Sequence, residues 1–311
     1  MIVWNGIERV PPDISPVVAT VGNFDGVHSG HRAILESAVA AARRRRSRSV
    51  LVTFEPHPLS VVDPRRRPRL LMTRRQKLEA LEATGVDVVL ILAFGPEMAA
   101  LEGEEFFLRT LGTRLPLAAL HVGESFRFGR GRAGDLNVLR RIGASGGIEV
   151  VGVAPVRVDG VVVSSSAIRS LVEEGDVERA RRMLGRPFAV TGLVARGEGR
   201  GRSLLFPTAN VDVENEILPR RGVYVTETIV LALRVHSVTN VGTRPTFDGS
   251  ALTVETHLID FDDDLYGERV EVRFLARIRD EKRFASPPEL ADQLARDRAA
   301  AVAFFHNLEL V

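Results

Sequence analysis

Two histidines three positions apart, His28 and His31, are the side chains of this sequence best placed to do chemistry. They close the segment 20–31, TVGNFDGVHSGH, which joins an apolar run to a helix-forming run. A glycine-rich turn between a strand and a helix is where α/β folds bind phosphate groups, because the helix N-terminus presents free N–H groups. We expect Ser29 to cap this helix, so that both imidazoles face one ligand. The pair is therefore predicted to hydrogen-bond a triphosphate and to stabilise the charge of an in-line displacement.

The first part of the chain must supply the elements that position this turn. Strand-like and helix-like runs alternate there, which predicts an α/β domain with a doubly wound, Rossmann-like parallel sheet. In such a sheet the site lies at the C-terminal ends of the strands. The expected strands are 17–21, 50–54, 86–93, 118–122 and 148–153. The expected helices are 31–44, 74–84, 104–115 and 136–144.

The character of the sequence changes after Gly185-Arg186-Pro187, which ends a helix expected over about 166–184. Short alternating strands follow, separated by glycine and acidic turns, and they predict a small antiparallel β-barrel. A terminal helix is expected to begin near Pro288. The expected strands are 189–194, 223–229, 233–239, 253–259 and 270–275. We therefore place one domain at 1–186 and a second at 187–311.

The composition limits where the protein works and what it binds. The 311 residues include no cysteine, which excludes disulfides and thiolate metal sites. No apolar stretch approaches the roughly 20 residues of a membrane span, and the start lacks the features of a secretion signal. We therefore expect a cytoplasmic protein with no membrane contact. The arginine run 43–46 is expected to be the solvated end of the first helix rather than a nucleic-acid site. The sequence predicts no oligomeric state.

Further motifs follow one another along nearly the whole chain. They are FEPHP at 54–58, GESFRFG at 123–129, SSSAIR at 164–169, FPTAN at 206–210, NVGTRPTF at 240–247, VETH at 254–257 and DLYG at 264–267. Together with the segment 20–31, this colinear set resembles the bacterial bifunctional riboflavin kinase/FAD synthetase family. The resemblance implies two reactions: ATP phosphorylates riboflavin to FMN, and a second ATP adenylylates FMN to FAD with release of pyrophosphate. It also implies Mg²⁺ as the cofactor that accompanies ATP, and flavin as substrate and product.

The resemblance assigns the adenylyl transfer to the N-terminal domain, with His28 and His31 as the catalytic pair. The residues expected to bind the ATP phosphates there are Gly22, Phe24, His57, Ser164, Ser165, Ser166 and Arg169. The three serines precede a helix, and one of them is expected to be its N-cap. Ser125, Phe126 and Phe128 are expected to bind flavin. Ser125 stands where the family commonly has Asp or Asn, so its contacts differ in reach and charge.

The resemblance assigns the kinase reaction to the barrel. The strand spacing of two puts Thr253, Glu255 and His257 on one face, and Glu255 matches the family's catalytic base. Thr208 and Asn210 are expected to supply oxygens to Mg²⁺ and phosphate. Gly197 and Arg202 lie in a glycine-rich segment that is expected to wrap the nucleotide. Leu205 departs from the family, which usually has glycine before FPTAN.

Alternatives to two full activities remain open. Leu205 motivates the first, an FMN adenylyltransferase whose barrel is impaired as a kinase and only binds flavin. A second is a nucleotidyltransferase for another phosphorylated substrate, against which the barrel motifs argue. A third is a flavin-responsive binding module without catalysis. The presence of both His28 and Glu255 argues against that third interpretation.

Overall fold

The computed structural model describes residues 1–112, 114–195, 208–246 and 249–309. These residues form two compact units. The first consists of Met1–Arg69 and Arg74–Ser164, and the second of Leu70–Thr73 and the chain from Ser165 onward. The domain boundary expected near Arg186 stays a prediction.

A parallel sheet organises the first unit. Its strands are β1 (Ile2–Asn5), β2 (Val17–Val21), β3 (Ser49–Glu55), β4 (Val88–Ala93), β5 (Leu117–Gly123) and β6 (Glu149–Val153). They lie in the order β1-β4-β3-β2-β5-β6, which confirms the predicted doubly wound sheet. The chain moves outward from β2 through β3 to β4 on one side and from β5 to β6 on the other. The topological switch point therefore lies between β2 and β5, where such sheets bind ligands.

Helices cover both faces of this sheet. They are α1 (Ser29–Arg45), α2 (Pro58–Val62), α3 (Arg74–Glu82), α4 (Pro96–Ala100), α5 (Gly103–Phe107) and α6 (Leu136–Gly146). A hairpin of β7 (Arg157–Val158) and β8 (Val161–Val162) follows. The single helix predicted over 104–115 is wrong, because α5 gives way to a π-helical turn at Leu108–Gly112. The Thr110 hydroxyl there donates to the Phe106 carbonyl at 2.5 Å, a back-bond that distorts helices.

Small side chains bring α1 close to the sheet. Ala38, Ala41 and Ala42 of α1 pack against Val18 of β2 and Ala119 of β5. Every residue of β2 is buried, so the strand that leads into the phosphate-binding turn is fixed from both faces. The N-terminus of α1 is thereby held at the switch point.

The second unit begins with two helices, α7 (Ser165–Glu174) and α8 (Val177–Leu184). The single helix expected over 166–184 is therefore wrong. Gly175 has a φ of 84°, which ends α7, and the Asp176 side chain starts α8 by accepting from the backbone N–H of Arg179 at 3.0 Å. A glycine next to a capping residue separates two helices whose apolar faces otherwise read as one pattern.

A six-stranded antiparallel barrel forms the rest of this unit within the described residues. Its strands are β9 (Phe188–Ala195), β10 (Ala209–Val213), β11 (Gly222–Val230), β12 (Leu233–Thr246), β13 (Gly249–Leu258) and β14 (Arg269–Arg279). They close in the order β10-β13-β12-β11-β14-β9, which confirms the predicted barrel. The strand β10 was not predicted, because its polar Asn210 and Asp212 hide a short strand pattern.

The terminal helix α9 (Pro287–Glu309) packs on the outside of the barrel. Ala301 and Phe305 contact Val223 and Val225 of β11 in one apolar cluster. Asp297 is only 2% exposed and forms an ion pair with Arg279 of β14 at 2.6 Å. A buried carboxylate paired in this way fixes the helix against one strand.

A closed ring of five hydroxyl groups lies inside the barrel. Thr226 contacts Ser237 and Thr239, Thr228 contacts Ser237 and Thr256, and Thr239 donates to Thr256, at oxygen–oxygen distances of 2.7 to 3.4 Å. All five residues are fully buried. Each hydroxyl has one proton to donate, so five bonds among five groups satisfy every donor. The ring therefore ties β11, β12 and β13 together in one register.

Breaking this ring should destabilise the barrel more than shortening a side chain does. Thr226→Val keeps the volume but leaves two neighbouring hydroxyls short of a partner, and we expect it to lower the free energy of unfolding by about 1–3 kcal/mol. Thr226→Ser keeps the hydroxyl and loses one methyl, with an expected cost of about 0.8 kcal/mol. Urea unfolding followed by circular dichroism measures both. If valine costs no more than serine, the ring contributes nothing to stability.

Candidate active sites

The turn after β2 has a strained backbone. Phe24 has a φ of 51° and Val27 a φ of 37°, conformations that side chains other than glycine rarely adopt. Both side chains are buried, at 2% and 0% exposure, so packing holds the strained residues in place. Strain maintained in this way is common at ligand-binding sites. It bends the chain so that His28 arrives at the start of α1.

His28, and not the expected Ser29, is the N-cap of α1. Its backbone is extended, with φ −74° and ψ 172°, and its Nδ1 accepts from the backbone N–H of His31 at 3.2 Å. Ser29 is already the first residue of the helix. The prediction was wrong because serine is the commoner cap, whereas here the buried imidazole takes the same free N–H group.

This hydrogen bond determines the chemistry that His28 can do. Because Nδ1 accepts, the ring proton lies on Nε2, which is left as a donor. The ring stacks on that of His31, with centroids 3.6 Å apart and planes at 14°, and the Phe24 ring centroid lies 4.9 Å from that of His31. His28 is only 5% exposed and His31 is half-buried, so the pair does not lie open to solvent in the turn. The structure brings the predicted pair together in one fixed arrangement.

His57 is held next to this turn. It caps the short helix α2, where its Nδ1 accepts from the backbone N–H of Leu59 at 3.2 Å, and its Nε2 lies 3.1 Å from the side-chain amide of Asn23. The Asn23 amide nitrogen is the atom that contacts Nε2, and the tautomer of His57 decides which of the two groups donates. Asn23 thereby links the FEPHP segment to the phosphate-binding turn, a contact that the sequence did not predict.

The three expected serines divide between the two units. A Cβ placed on Gly30 would lie 3.6 Å from the carbonyl oxygen of Val163, so the backbone entering Ser164 passes the first turn of α1. Ser165 and Ser166 open α7 in the second unit, and Arg169 lies one turn further along that helix. The expectation that the three serines and Arg169 share a site with His28 stays a prediction.

The segment after β5 is the other side of the switch point. Phe126 and Phe128 stack with centroids 5.6 Å apart, and Ser125 is exposed. Phe128 is only 5% exposed and packs against Phe106 in the apolar core, so it anchors the segment to that core. Phe126 is the more exposed of the two rings. The flavin-binding roles of all three residues stay predictions.

A row of three polar residues crosses the outside of the barrel. Glu255 of β13 is directly opposite Asn210 of β10 on one side and Asn240 of β12 on the other. The neighbours Val254 and Thr256 are buried inside the barrel, so Glu255 faces outward, on the face that it was predicted to share with Thr253 and His257. Residues directly opposite one another on adjacent strands have Cβ atoms about 5 Å apart. Two amides and a carboxylate therefore form one patch of oxygen donors.

Two residues of this region, Asn240 and Glu281, were not predicted from the sequence. Asn240 lies within a quoted motif, but only the strand register shows that it is a neighbour of Glu255. A Cβ on Gly242 would lie 2.6 Å from Glu281 Oε1 and 2.9 Å from Asn240 Nδ2, so these two side chains meet above Gly242. Since Glu281 follows β14, no local pattern could place it here.

The remaining barrel expectations are only partly covered. Thr208 immediately precedes β10 and is half-buried, two positions from Asn210. Gly197, Arg202 and Leu205 lie outside the described residues. Amide, hydroxyl and carboxylate oxygens of the kind that Thr208, Asn210 and Glu255 offer are the ligands that Mg²⁺ prefers.

Comparison with known proteins divides the chain in two. The family model described as FAD synthetase matches residues 10–167, and the one described as riboflavin kinase matches residues 184–305. Within the described residues, no helix combines the length and the apolar character that crossing a membrane requires.

Relatives match over nearly the full length. An Escherichia coli K12 protein named bifunctional riboflavin kinase/FMN adenylyltransferase is 40% identical over 93% of this chain and 92% of its own. The Pseudomonas fluorescens protein of that name is 39% identical over 96% of each chain. The crystal structure of a Streptococcus pneumoniae protein described as a macrolide-efflux protein superposes with a TM-score of 0.89 at 29% identity, over 97% of this chain and 99% of that one.

The cap formed by His28 should contribute measurably to stability. We expect His28→Ala to lower the free energy of unfolding by about 1 kcal/mol, because the N–H of His31 loses its acceptor. His28→Asn supplies a side-chain oxygen at the cap and should recover most of that loss. Thermal melting of the two variants beside the wild type measures the difference. Equal destabilisation by Ala and Asn would contradict the capping role.

Proposed function

We infer that this chain, which belongs to the bifunctional riboflavin kinase/FMN adenylyltransferase family, phosphorylates riboflavin to FMN and then adenylylates FMN to FAD. ATP, riboflavin and FMN are its substrates. The observation that carries this conclusion is that each structural unit has its own reactive arrangement: the stacked histidines in the first, and the row around Glu255 in the second. A cytoplasmic location stays a prediction.

The adenylyl transfer needs positioning and charge stabilisation rather than a covalent intermediate. The FMN phosphate oxygen attacks the α-phosphorus of ATP, the bond to the bridging oxygen breaks, and pyrophosphate leaves. His28 donates from Nε2 to a phosphate oxygen, since its other nitrogen is occupied by the helix cap. The N-terminus of α1 adds its free N–H groups and partial positive charge. His57 uses Nδ1 as the cap of α2 and Nε2 in its contact with Asn23, so the phosphate-binding role expected for it stays a prediction.

The kinase reaction needs a base and a means of holding the triphosphate. The Glu255 carboxylate removes the proton from the riboflavin 5′-hydroxyl, whose oxygen then attacks the γ-phosphorus while ADP leaves. The strand register places Asn210 and Asn240 on either side of Glu255, as the neighbours of that carboxylate.

The donor set next to Glu255 fits Mg²⁺. The hydroxyl oxygen of Thr208 and the amide oxygen of Asn210 would hold the ion, in keeping with its preference for neutral and anionic oxygens. When bound with ATP, Mg²⁺ neutralises phosphate charge and orients the triphosphate.

One incubation separates the possible functions. The purified protein is mixed with riboflavin, ATP and Mg²⁺, and FMN and FAD are separated by chromatography; a parallel reaction starts from FMN. We expect riboflavin to give FMN and then FAD. FAD from FMN but no FMN from riboflavin would instead identify the adenylyltransferase with an impaired barrel, which Leu205 motivates. No conversion in either reaction would contradict the proposal.

The first activity should depend on His28 independently of its capping role. His28→Asn keeps the cap but removes the Nε2 donor, and we expect FAD formation from FMN to fall on the order of 10²–10³-fold. Riboflavin phosphorylation should stay within about twofold of wild type, because its residues lie in the other unit. His306→Asn, which removes an exposed histidine of α9, is the matched control. Equal loss of both activities in a folded protein would contradict the assignment of two sites.

The second activity should depend on the Glu255 carboxylate. Glu255→Gln keeps the size and hydrogen bonding but cannot accept the proton, and we expect the kinase kcat to fall by roughly 10²–10⁴-fold. FAD formation from supplied FMN should persist. Glu271→Gln is the matched control, since it removes an outward-facing carboxylate from β14, three strands around the barrel from β13. A kinase rate within a few-fold of wild type would show that Glu255 is not the base.

A further inference from the structure

Lys77 is unusual in this chain. The sequence has 42 lysine and arginine residues, and Lys77 and Lys282 are its only lysines. Lys77 lies on α3, where its partly buried side chain points to the sheet instead of to solvent. Nearly every other cationic side chain is an arginine, so Lys77 is one of two positions where the chain carries a compact ammonium group.

The Lys77 ammonium begins a chain of hydrogen bonds that ends at the phosphate-binding turn. Nζ donates to Thr53 Oγ1 at 2.9 Å, and the Thr53 hydroxyl donates in turn to the carbonyl oxygen of Asn23 at 3.2 Å. The side-chain amide of Asn23 contacts His57 Nε2 at 3.1 Å. An ammonium group can only donate, so the Thr53 hydroxyl must direct its own proton onward to Asn23. The hydrogen bonds therefore run in one direction, from the Lys77 ammonium through the Thr53 hydroxyl to the Asn23 carbonyl, which can only accept.

Charged groups from three elements act on this ammonium. Glu55 at the end of β3 and Asp25 in the turn favour its charged form, and Arg74 on its own helix opposes it. Arg74 is also paired with Glu55 at 3.2 Å, so part of the Glu55 charge is already compensated. Asp25 is only 5% exposed, and a buried carboxylate so close to a triphosphate site needs a nearby cation.

We propose that Lys77 is a positioning residue for the adenylyl transfer: its ammonium orients Asn23 through Thr53, and its charge balances Asp25 in the turn that carries His28. Lys77 does not touch substrate in this role. It keeps the Asn23 carbonyl turned toward the sheet, and with it the amide that holds His57. The inference rests on the proposed adenylyltransferase function and adds a residue to its site that the sequence motifs do not include.

The first test removes the ammonium or the hydroxyl that relays it. Lys77→Met should lower the kcat for FAD formation by about 10- to 100-fold, the size of effect expected when a catalytic group is displaced by about 1 Å. Arg75→Met removes an exposed cation from the same helix and should leave the rate unchanged. Thr53→Val interrupts the same chain without changing any charge, and Thr53→Ser restores it. We expect valine to lower kcat and serine to recover it.

The second test measures how the kcat for FAD formation depends on pH. A purely structural role of Lys77 would not produce such a dependence. Burial of the ammonium lowers the pKa of Lys77 from 10.5 to about 8, although Glu55 and Asp25 oppose that shift. The charged form is therefore lost as pH rises through about 8, and the kcat for FAD formation should fall over the same range. Lys77→Arg stays charged at those pH values and should lose this alkaline decline. The kinase step, measured in the same samples, should not gain or lose such a decline.

The outcomes separate the two claims. Wild-type protein that forms no FAD from FMN contradicts the proposed function and, with it, this inference. Wild-type protein that forms FAD, with Lys77→Met and Thr53→Val as active as Arg75→Met, contradicts the Lys77 inference alone. Should Lys77→Met fail to fold, the pair Thr53→Val and Thr53→Ser decides: equal rates in both would overturn the proposal. An alkaline decline that persists unchanged in Lys77→Arg would also overturn it.

Discussion

The hydrogen bond from the backbone N–H of His31 to Nδ1 of His28 is the contact on which the first site depends. It starts α1, it places the ring proton of His28 on Nε2, and it brings the two imidazoles into a stack 3.6 Å apart. One interaction therefore fixes a helix terminus, a tautomer and a ring orientation. The turn before it is strained at Phe24 and Val27, and burial of both side chains stabilises that strained backbone.

The barrel fixes its reactive group by different means. Glu255 gains its neighbours from strand pairing, because Asn210 and Asn240 lie opposite it on the two adjacent strands. The hydroxyl ring inside the barrel ties β13, which carries Glu255, to β12, which carries Asn240, through Thr239 and Thr256. In the sequence, Thr239 immediately precedes Asn240, and Thr256 immediately follows Glu255. A slip of one residue would leave buried hydroxyls unsatisfied and would turn Glu255 into the interior, so the ring opposes any such slip.

The sequence predicted the parts of this fold that local patterns determine. Alternating strand-like and helix-like runs predicted the doubly wound sheet, and short strands separated by turns predicted the barrel. Local patterns also misled where one residue decides the outcome. Gly175 and Asp176 split a pattern that reads as one helix, and the buried imidazole of His28 replaced the commoner cap Ser29. The strand β10 escaped prediction because its outward-facing Asn210 and Asp212 resemble a loop.

The candidate sites show the same division between local and distant determinants. His28 and His31 were found from the sequence because a single turn contains both. Asn240, Glu281 and Lys77 were missed because register and tertiary packing, not spacing, bring them to their partners. Lys77 reaches Asn23 only through Thr53, a side chain on a third element, and no motif of consecutive residues can encode such a relay. A motif therefore identifies the groups that meet the substrate, whereas the residues that orient those groups become visible only in the folded chain.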